Sequence, residues 1–219
     1  MIIGTRTDAL AASQLCRGSA TMNPNVPRGL KPLAYTSGAP YSGGMQVYYV
    51  PPGNPNALFV GDPLVVLDGQ ADANGVPAVG LATAGASGYI TGSMQGVANN
   101  AGELVQTVLQ NTPVYLPAGQ SGYVYVADDP NLVFLVQEDS VGGALTAGAA
   151  SKNINLVAGS GSLVTGNSGW QIQSSSAETT ATGQMRILRA MQAIDNAIGT
   201  NAKWLCRINL HTITNTTGV

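Results

Sequence analysis

Residues 122–137 read GYVYVADDPNLVFLVQ, and this stretch decides the fold class. Across Gly122–Ala127 the residues alternate, so Tyr123 and Tyr125 share one face of a strand while Val124 and Val126 take the other. Asp128-Asp129-Pro130 then interrupts the strand with turn chemistry, because Asp suits tight turns and Pro fixes φ. Leu132–Gln137 follows as a continuous apolar run of strand length, which reads as a fully buried strand. One half-wet strand and one buried strand in immediate succession point to a β architecture.

The same grammar extends in both directions. Upstream, strands are expected at Met45–Val50, Ala57–Val60, Leu64–Leu67, Val76–Thr83, Gly88–Val97, Glu103–Leu109 and Pro113–Leu116, with turns at Asp68-Gly69 and around Asp72–Gly75. Downstream they are expected at Asn153–Val157, Trp170–Ser174, Gln184–Arg189 and Lys203–His211. The chain of 219 residues carries 28 Gly and 12 Pro, which supply the turns that short strands need. The expected class is mainly β: a jelly-roll-like β-sandwich or β-barrel with an extended N-terminal arm and little helix. Thr7–Arg17 has helical character with Thr7 as cap, and Leu188–Ile198 is ambiguous.

Two regions fall outside this strand pattern. Residues 1–44 read as an arm, in which 1–21 are either an over-called start or a flexible extension. Residues 45–219 form the β domain, with a Gly/Ala-rich loop excursion at about 139–169. That excursion is nearly uncharged and small-residue-rich, so it is expected to lie against a neighbouring surface.

Only 9% of residues are charged against 44% apolar, and the formal charge is −2. Such a balance fits a large core and a surface meant to lie against protein. It speaks against a nucleic-acid binder, which needs surplus Lys and Arg. No apolar run approaches the roughly 18 residues of a membrane helix. The charges are unevenly placed. Residues 1–31 hold Arg6, Arg17, Arg28 and Lys31 against Asp8, residues 32–151 hold eight acids and no Lys or Arg, and residues 152–219 hold five basic residues against Glu178 and Asp195. One explanation is a basic arm that reaches an acidic neighbour, such as the middle of another copy.

Chemistry-bearing patterns are few. Cys16 and Cys206 stand near opposite ends and read as unconnected thiols, Cys206 as a small buried hydrophobe. His211 is the sole histidine, which leaves no multi-His metal site and makes a Ser-His-acid triad depend on one residue near the end. Asp128-Asp129 and Glu138-Asp139 bracket a strand but read as turn residues rather than a glycosidase pair. Asp72–Gly75 lacks the flanking acids of a calcium loop, and Gly159–Ser162 lacks the Lys of a phosphate loop. Asn215-Thr-Thr is a formal glycosylation sequon. Tyr48, Tyr49, Tyr123, Tyr125 and Trp170 are candidates for sugar stacking, weighed against core and interface roles.

Three stretches resemble the head decoration, or capsid cement, proteins of tailed bacteriophages. The first runs from Asn23-Pro24 through Gly29-Leu30-Lys31-Pro32, Gly38–Tyr41 and Tyr48-Tyr49-Val50 to Ala57–Pro63. The second is Tyr125–Pro130 with Phe134–Asp139. The third is Gln184–Ile187, Asp195-Asn196, Gly199 and Ala202–His211. The resemblance implies a non-enzymatic virion protein on the capsid exterior, made in the host cytoplasm. It would bridge neighbouring major capsid subunits and hold the head against internal DNA pressure.

Implied partners are the major capsid protein and further copies of itself, as a homotrimer, with no direct nucleic acid, no membrane, no metal and no cofactor. The expected contact residues are Arg28, Lys31, Tyr35 and Tyr41 in the arm, with Tyr48 or Tyr49 and Trp170 for packing between subunits. Asp195, Lys203 and Arg207 read as polar contacts of the fold or trimer rather than a catalytic set. The competing reading is a glycan-binding module of a fibre or head appendage, which a shallow pocket with a surface-exposed Trp170 beside a Tyr would favour.

Overall fold

A computed structural model describes residues 23–85, 87–98 and 114–214. The expected helix at Thr7–Arg17, Cys16, the strand at Glu103–Leu109 and the sequon at Asn215 lie outside the described residues. The described chain is mainly β. Its strands are β1 (Lys31–Tyr35), β2 (Gln46–Val50), β3 (Leu58–Phe59), β4 (Pro63–Ala71), β5 (Pro77–Leu81), β6 (Gly92–Ala98) and β7 (Tyr115–Leu116). They continue with β8 (Gly122–Ala127), β9 (Leu132–Gln137), β10 (Asn153–Ile154), β11 (Leu156–Val157), β12 (Gln171–Ile172), β13 (Met185–Ala190) and β14 (Lys203–Ile208). Among the described residues helix is confined to two three-residue 3-10 turns, Ala147–Ala149 and Ser174–Ser176.

The deciding stretch spans two bodies. β8 closes a five-stranded barrel of order β2-β5-β4-β6-β8, while β9 is the second strand of a five-stranded sheet of order β1-β9-β14-β13-β10. The barrel is antiparallel except where β2 meets β5 in parallel at Tyr49 and Ala78. Few strands can close only if they bend. Register shifts at Val66/Ala71 in β4 and Met94/Gly96 in β6 supply the bends. At Gly92 the backbone passes so near the Ala127 carbonyl that no side chain fits. Tyr48, Val50, Leu64, Val79, Met94, Val124 and Val126 fill the interior.

The sheet is antiparallel throughout. Its inner face carries Phe134 and Val136 of β9, Trp204, Cys206 and Ile208 of β14, and Met185 and Ile187 of β13. The larger hydrophobic core lies there, and Val65 and Leu81 of the barrel wall pack against it.

Several expectations change against this frame. The turn expected at Asp68-Gly69 falls inside β4, where the bulge absorbs it and Gly69 takes φ +64°. The 139–169 excursion does not stand away from the body: Leu145, Ala149, Ile154 and Leu156 join the larger core. Its small residues admit close backbone approach, as where Gly159 faces Gly169. Leu188–Ile198 is not helical; Leu188 to Ala190 end β13, and the rest is turns.

Of the expected arm, residues 1–22 lie outside the described residues. Residues 23–44 run extended, but along their own molecule, with β1 paired to β9 from Lys31↔Leu135 to Tyr35↔Leu132. Cys206 is fully buried and free, and burial pushes its thiol well above the usual range.

Candidate functional site

The seven expected contact residues separate by depth. Arg28 and Lys31 are exposed and share a groove of about 340 Å³ with Pro24, Val26, Gly29, Leu135, Gln137 and Lys203. Three features of the chain place them. Gln137 ends the apolar run of β9 and is buried; its Nε2 donates to the carbonyls of Pro24 (2.8 Å) and Asn201 (2.8 Å), and its Oε1 accepts from the Val26 N–H (3.0 Å). The Asn23 amide donates to Ala197 O and Thr200 O at 2.8 and 3.0 Å and accepts from Ala197 N at 2.9 Å. Gly29, at φ +62°, lies against the Gly61 carbonyl, so Leu30 N–H reaches Gly61 O at 2.8 Å while Ser93 Oγ donates to Leu30 O at 2.6 Å. The residues around Arg28 are thereby pinned to both the sheet and the barrel.

The tyrosines are more enclosed. Tyr35 and Tyr41 are half-buried and lean on each other with centroids 6.3 Å apart, and Tyr41 donates to Gly44 O at 3.0 Å. Burial, then the neighbouring Tyr35 and Asp128, push the Tyr41 hydroxyl up to about 12. Tyr48 points into the barrel and donates to Asp128 Oδ2 at 2.8 Å, with its pKa raised mainly by burial. Tyr49 stays half-exposed against Tyr123 at 5.6 Å, and Tyr123 donates to Asp72 Oδ2 at 2.7 Å. Trp170 is 2% exposed inside the larger core. That corrects its assignment as an intersubunit anchor and takes the expected stacking platform away from a sugar. Its ring lies in the same core cluster as Leu145, Ala149, Ile154 and Leu156 of the preceding segment.

His211 is buried; its Nδ1 accepts the Ile213 N–H at 3.1 Å, and burial lowers its pKa despite the Asp128 backbone and the Asp129 charge. Among the described residues no Ser or carboxylate hydrogen-bonds its ring, and no cluster of three metal-ligating side chains occurs.

The cations gather on one face. Of nine Lys and Arg, Arg6 and Arg17 lie outside the described residues, leaving seven. On the outer face of the sheet, opposite the core, the register runs Lys31–Leu135–Leu205–Arg189, with Lys203 beside Gln137 and Arg207 directly across from Arg186. Arg28 stands at the rim, and Lys152 immediately precedes the edge strand β10. Asp195 pairs with Lys203 at 2.9 Å, and that lysine holds the carboxyl below the usual range. Among the described residues it is the sole ion pair.

The sequence singled out Arg28 and Lys31 as expected contacts and Lys203 and Arg207 as polar contacts of the fold or trimer, and it assigned Arg186 and Arg189 no role. Three residues apart in a strand, they would face opposite ways. The bulge between Ile187 and Arg189 returns Arg189 to the outer face.

The acidic middle is no counterpart patch. Asp62 and Glu138 are buried, Glu103 lies outside the described residues, and the rest largely serve turns. Asp72 accepts from Asn74 and Val76, Asp129 from Asn131, and Asp139 from Val141 and Ser174. Burial raises Asp62 to about 6 against the pull of the Ser168 hydroxyl and Phe59 N–H, and it raises Glu138 against bonds from Leu145 and Ser140.

Fold and site together define a β protein whose sheet carries several cations on its outer side, with an open groove at Arg28 and Lys31. No family model, curated protein or solved structure matches the chain.

Proposed function

We propose that this chain is a non-enzymatic structural protein of a tailed-phage virion that binds the outside of the capsid and bridges neighbouring major capsid subunits. One observation carries the reading: Arg28 and Lys31, expected from sequence as contacts, line an open groove together with apolar side chains and the C-terminal Lys203. A groove with a charged rim and an apolar floor suits docking to protein, where rim charges steer and buried area holds.

The resemblance to decoration proteins supplies the class of partner. Three of its quoted residues also make hydrogen bonds beyond their immediate neighbours in the chain. Asn23 holds Ala197, Asn196 holds Lys203 N–H and Met191 O, and Gln184 bonds Gly85, Thr83 and Leu156. Many copies on one shell would add avidity to individually modest contacts.

Purified, undecorated capsid shells test the reading. Full-length protein is expected to bind saturably and to resist removal by washing. Failure of the folded protein to bind shells at any ionic strength overturns the reading and directs the search to a glycan array, with the exposed side of the Tyr49–Tyr123 pair as the surface to examine.

A further inference from the structure

Lys and Arg from both ends of a long cation-free stretch reach one sheet face, and the arrangement carries a cost within the isolated chain. Arg186 and Arg207 sit directly opposite each other on neighbouring strands, and like charges so placed repel. Arg207 Nε is buried and finds no hydrogen-bond partner among the described residues. Arg28, Lys31, Arg186 and Arg189 have no ion pair among those residues either. Those four are exposed and free to meet a partner's anions, and the buried Arg207 Nε on the strand beside Arg186 lacks an acceptor among the described residues.

Resting on the capsid-binding reading above, we infer that the outer face of the β1-β9-β14-β13-β10 sheet is the docking surface and that its partner is an acidic protein surface, whose carboxylates meet Arg186, Arg189 and Arg207 while its apolar side chains enter the groove at Arg28 and Lys31. The composition of the face selects protein over nucleic acid. Leu135, half-buried, lies beside Lys31 on it and the buried Leu205 separates Lys203 from Arg207, Val26 and Leu33 are exposed near its edge, and none of its outward positions in the paired strands is aromatic. Single-stranded nucleic acid is held by aromatic stacking, which this face does not offer. A second copy of the chain is a weaker complement, because most of its carboxylates are buried or engaged in turns.

Full-length wild type, an R186Q/R189Q variant and a Q70E/Q120E variant form the test. Both variants change the net charge by the same amount, the first on the sheet face and the second at exposed positions on or near the barrel. Each protein is titrated against undecorated shells, poly-L-glutamate and a 20-base-pair DNA duplex at low and high salt, and its own mass is followed by light scattering.

Shell and poly-L-glutamate binding by wild type is expected to weaken at least tenfold on raising the salt, as screening requires. R186Q/R189Q is expected to lose at least tenfold at low salt, while Q70E/Q120E stays within twofold of wild type. Shell binding with no response to salt or to R186Q/R189Q overturns this docking face and leaves the capsid reading standing. Poly-L-glutamate binding that depends on Arg186 and Arg189, without shell binding, overturns the capsid reading and supports the face. Tighter binding to the duplex, or self-association abolished by R186Q/R189Q, overturns the assigned partner in favour of nucleic acid or a second copy.

Discussion

Asp62 shows how a single buried group shapes stability. Its carboxyl sits 2% exposed at the start of β4 and accepts the Phe59 N–H at 2.8 Å, yet no cation is paired with it. Burial raises its folded pKa from 3.8 to about 6. The folded state therefore holds a proton that the unfolded chain releases, and stability declines as pH rises from about 4 to about 6. Denaturant melts across that window are expected to show the decline. Asp62→Asn keeps the acceptor oxygen and removes the charge, so it is expected to flatten the dependence and stabilise the protein at pH 7 by about 1–3 kcal/mol. A steeper slope in that variant would contradict the account.

Gly29 makes the opposite case, a residue whose lack of side chain is what matters. A Cβ there would meet the Gly61 carbonyl, and its φ is +62°. Gly29→Ala is expected to cost well over 1 kcal/mol in a thermal melt. Cys206 offers a check on burial. In a Cys16→Ser chain its thiol should react with Ellman's reagent only after denaturation.

At the scale of elements, β9 is the organiser. It pairs with β1 on one side and β14 on the other, and Phe134 lies fully buried on its inner face. Phe134→Ala is expected to destabilise by about 3–5 kcal/mol, measured by denaturant titration, because neighbouring strands cannot collapse onto the void. β8 and β9 were legible to the residue, since alternation and a continuous apolar run are strong signals with a turn between them.

Alternation likewise sends adjacent Tyr48 and Tyr49 to opposite faces of β2, one into the barrel and one beside Tyr123. Elements governed by bulges were not legible in this way. β4 continues through Asp68-Gly69, and Arg189 regains the face of Arg186, because each shift adds a residue that no simple period anticipates. β1 was hidden too. Its KPLAY sequence lacks alternation, and its structure comes from pairing with a strand about a hundred residues away. In the candidate site, Arg28 and Lys31 stood out as the cations that close the basic N-terminal stretch, and the structure places both at one groove. Gln137 carried a usable sign, a polar residue closing an apolar strand, whereas the shared face of the cations emerges only from the register.

For the molecule as a whole, the charge pattern and the topology are one design. The barrel is built from a stretch without Lys or Arg, and the sheet gathers cations from either side of that stretch. Neutralising Lys203 by Lys203→Met is expected to release Asp195 and loosen the 191–200 turn, with little change in global stability, since exposed pairs contribute about 0–1 kcal/mol. Hydrogen exchange at Asn196 and Ala197 would register it.

The strand order β1-β9-β14 also bears on how the protein is made. All five barrel strands have been synthesised once the ribosome passes Ala127, but β9 lacks its central neighbour until Lys203–Ile208 has emerged. The sheet's long-range pairings are therefore slow, late events. A nascent chain therefore holds every barrel strand before β14 appears, and the cationic face is assembled only after Lys203–Ile208 has joined β9 to β13.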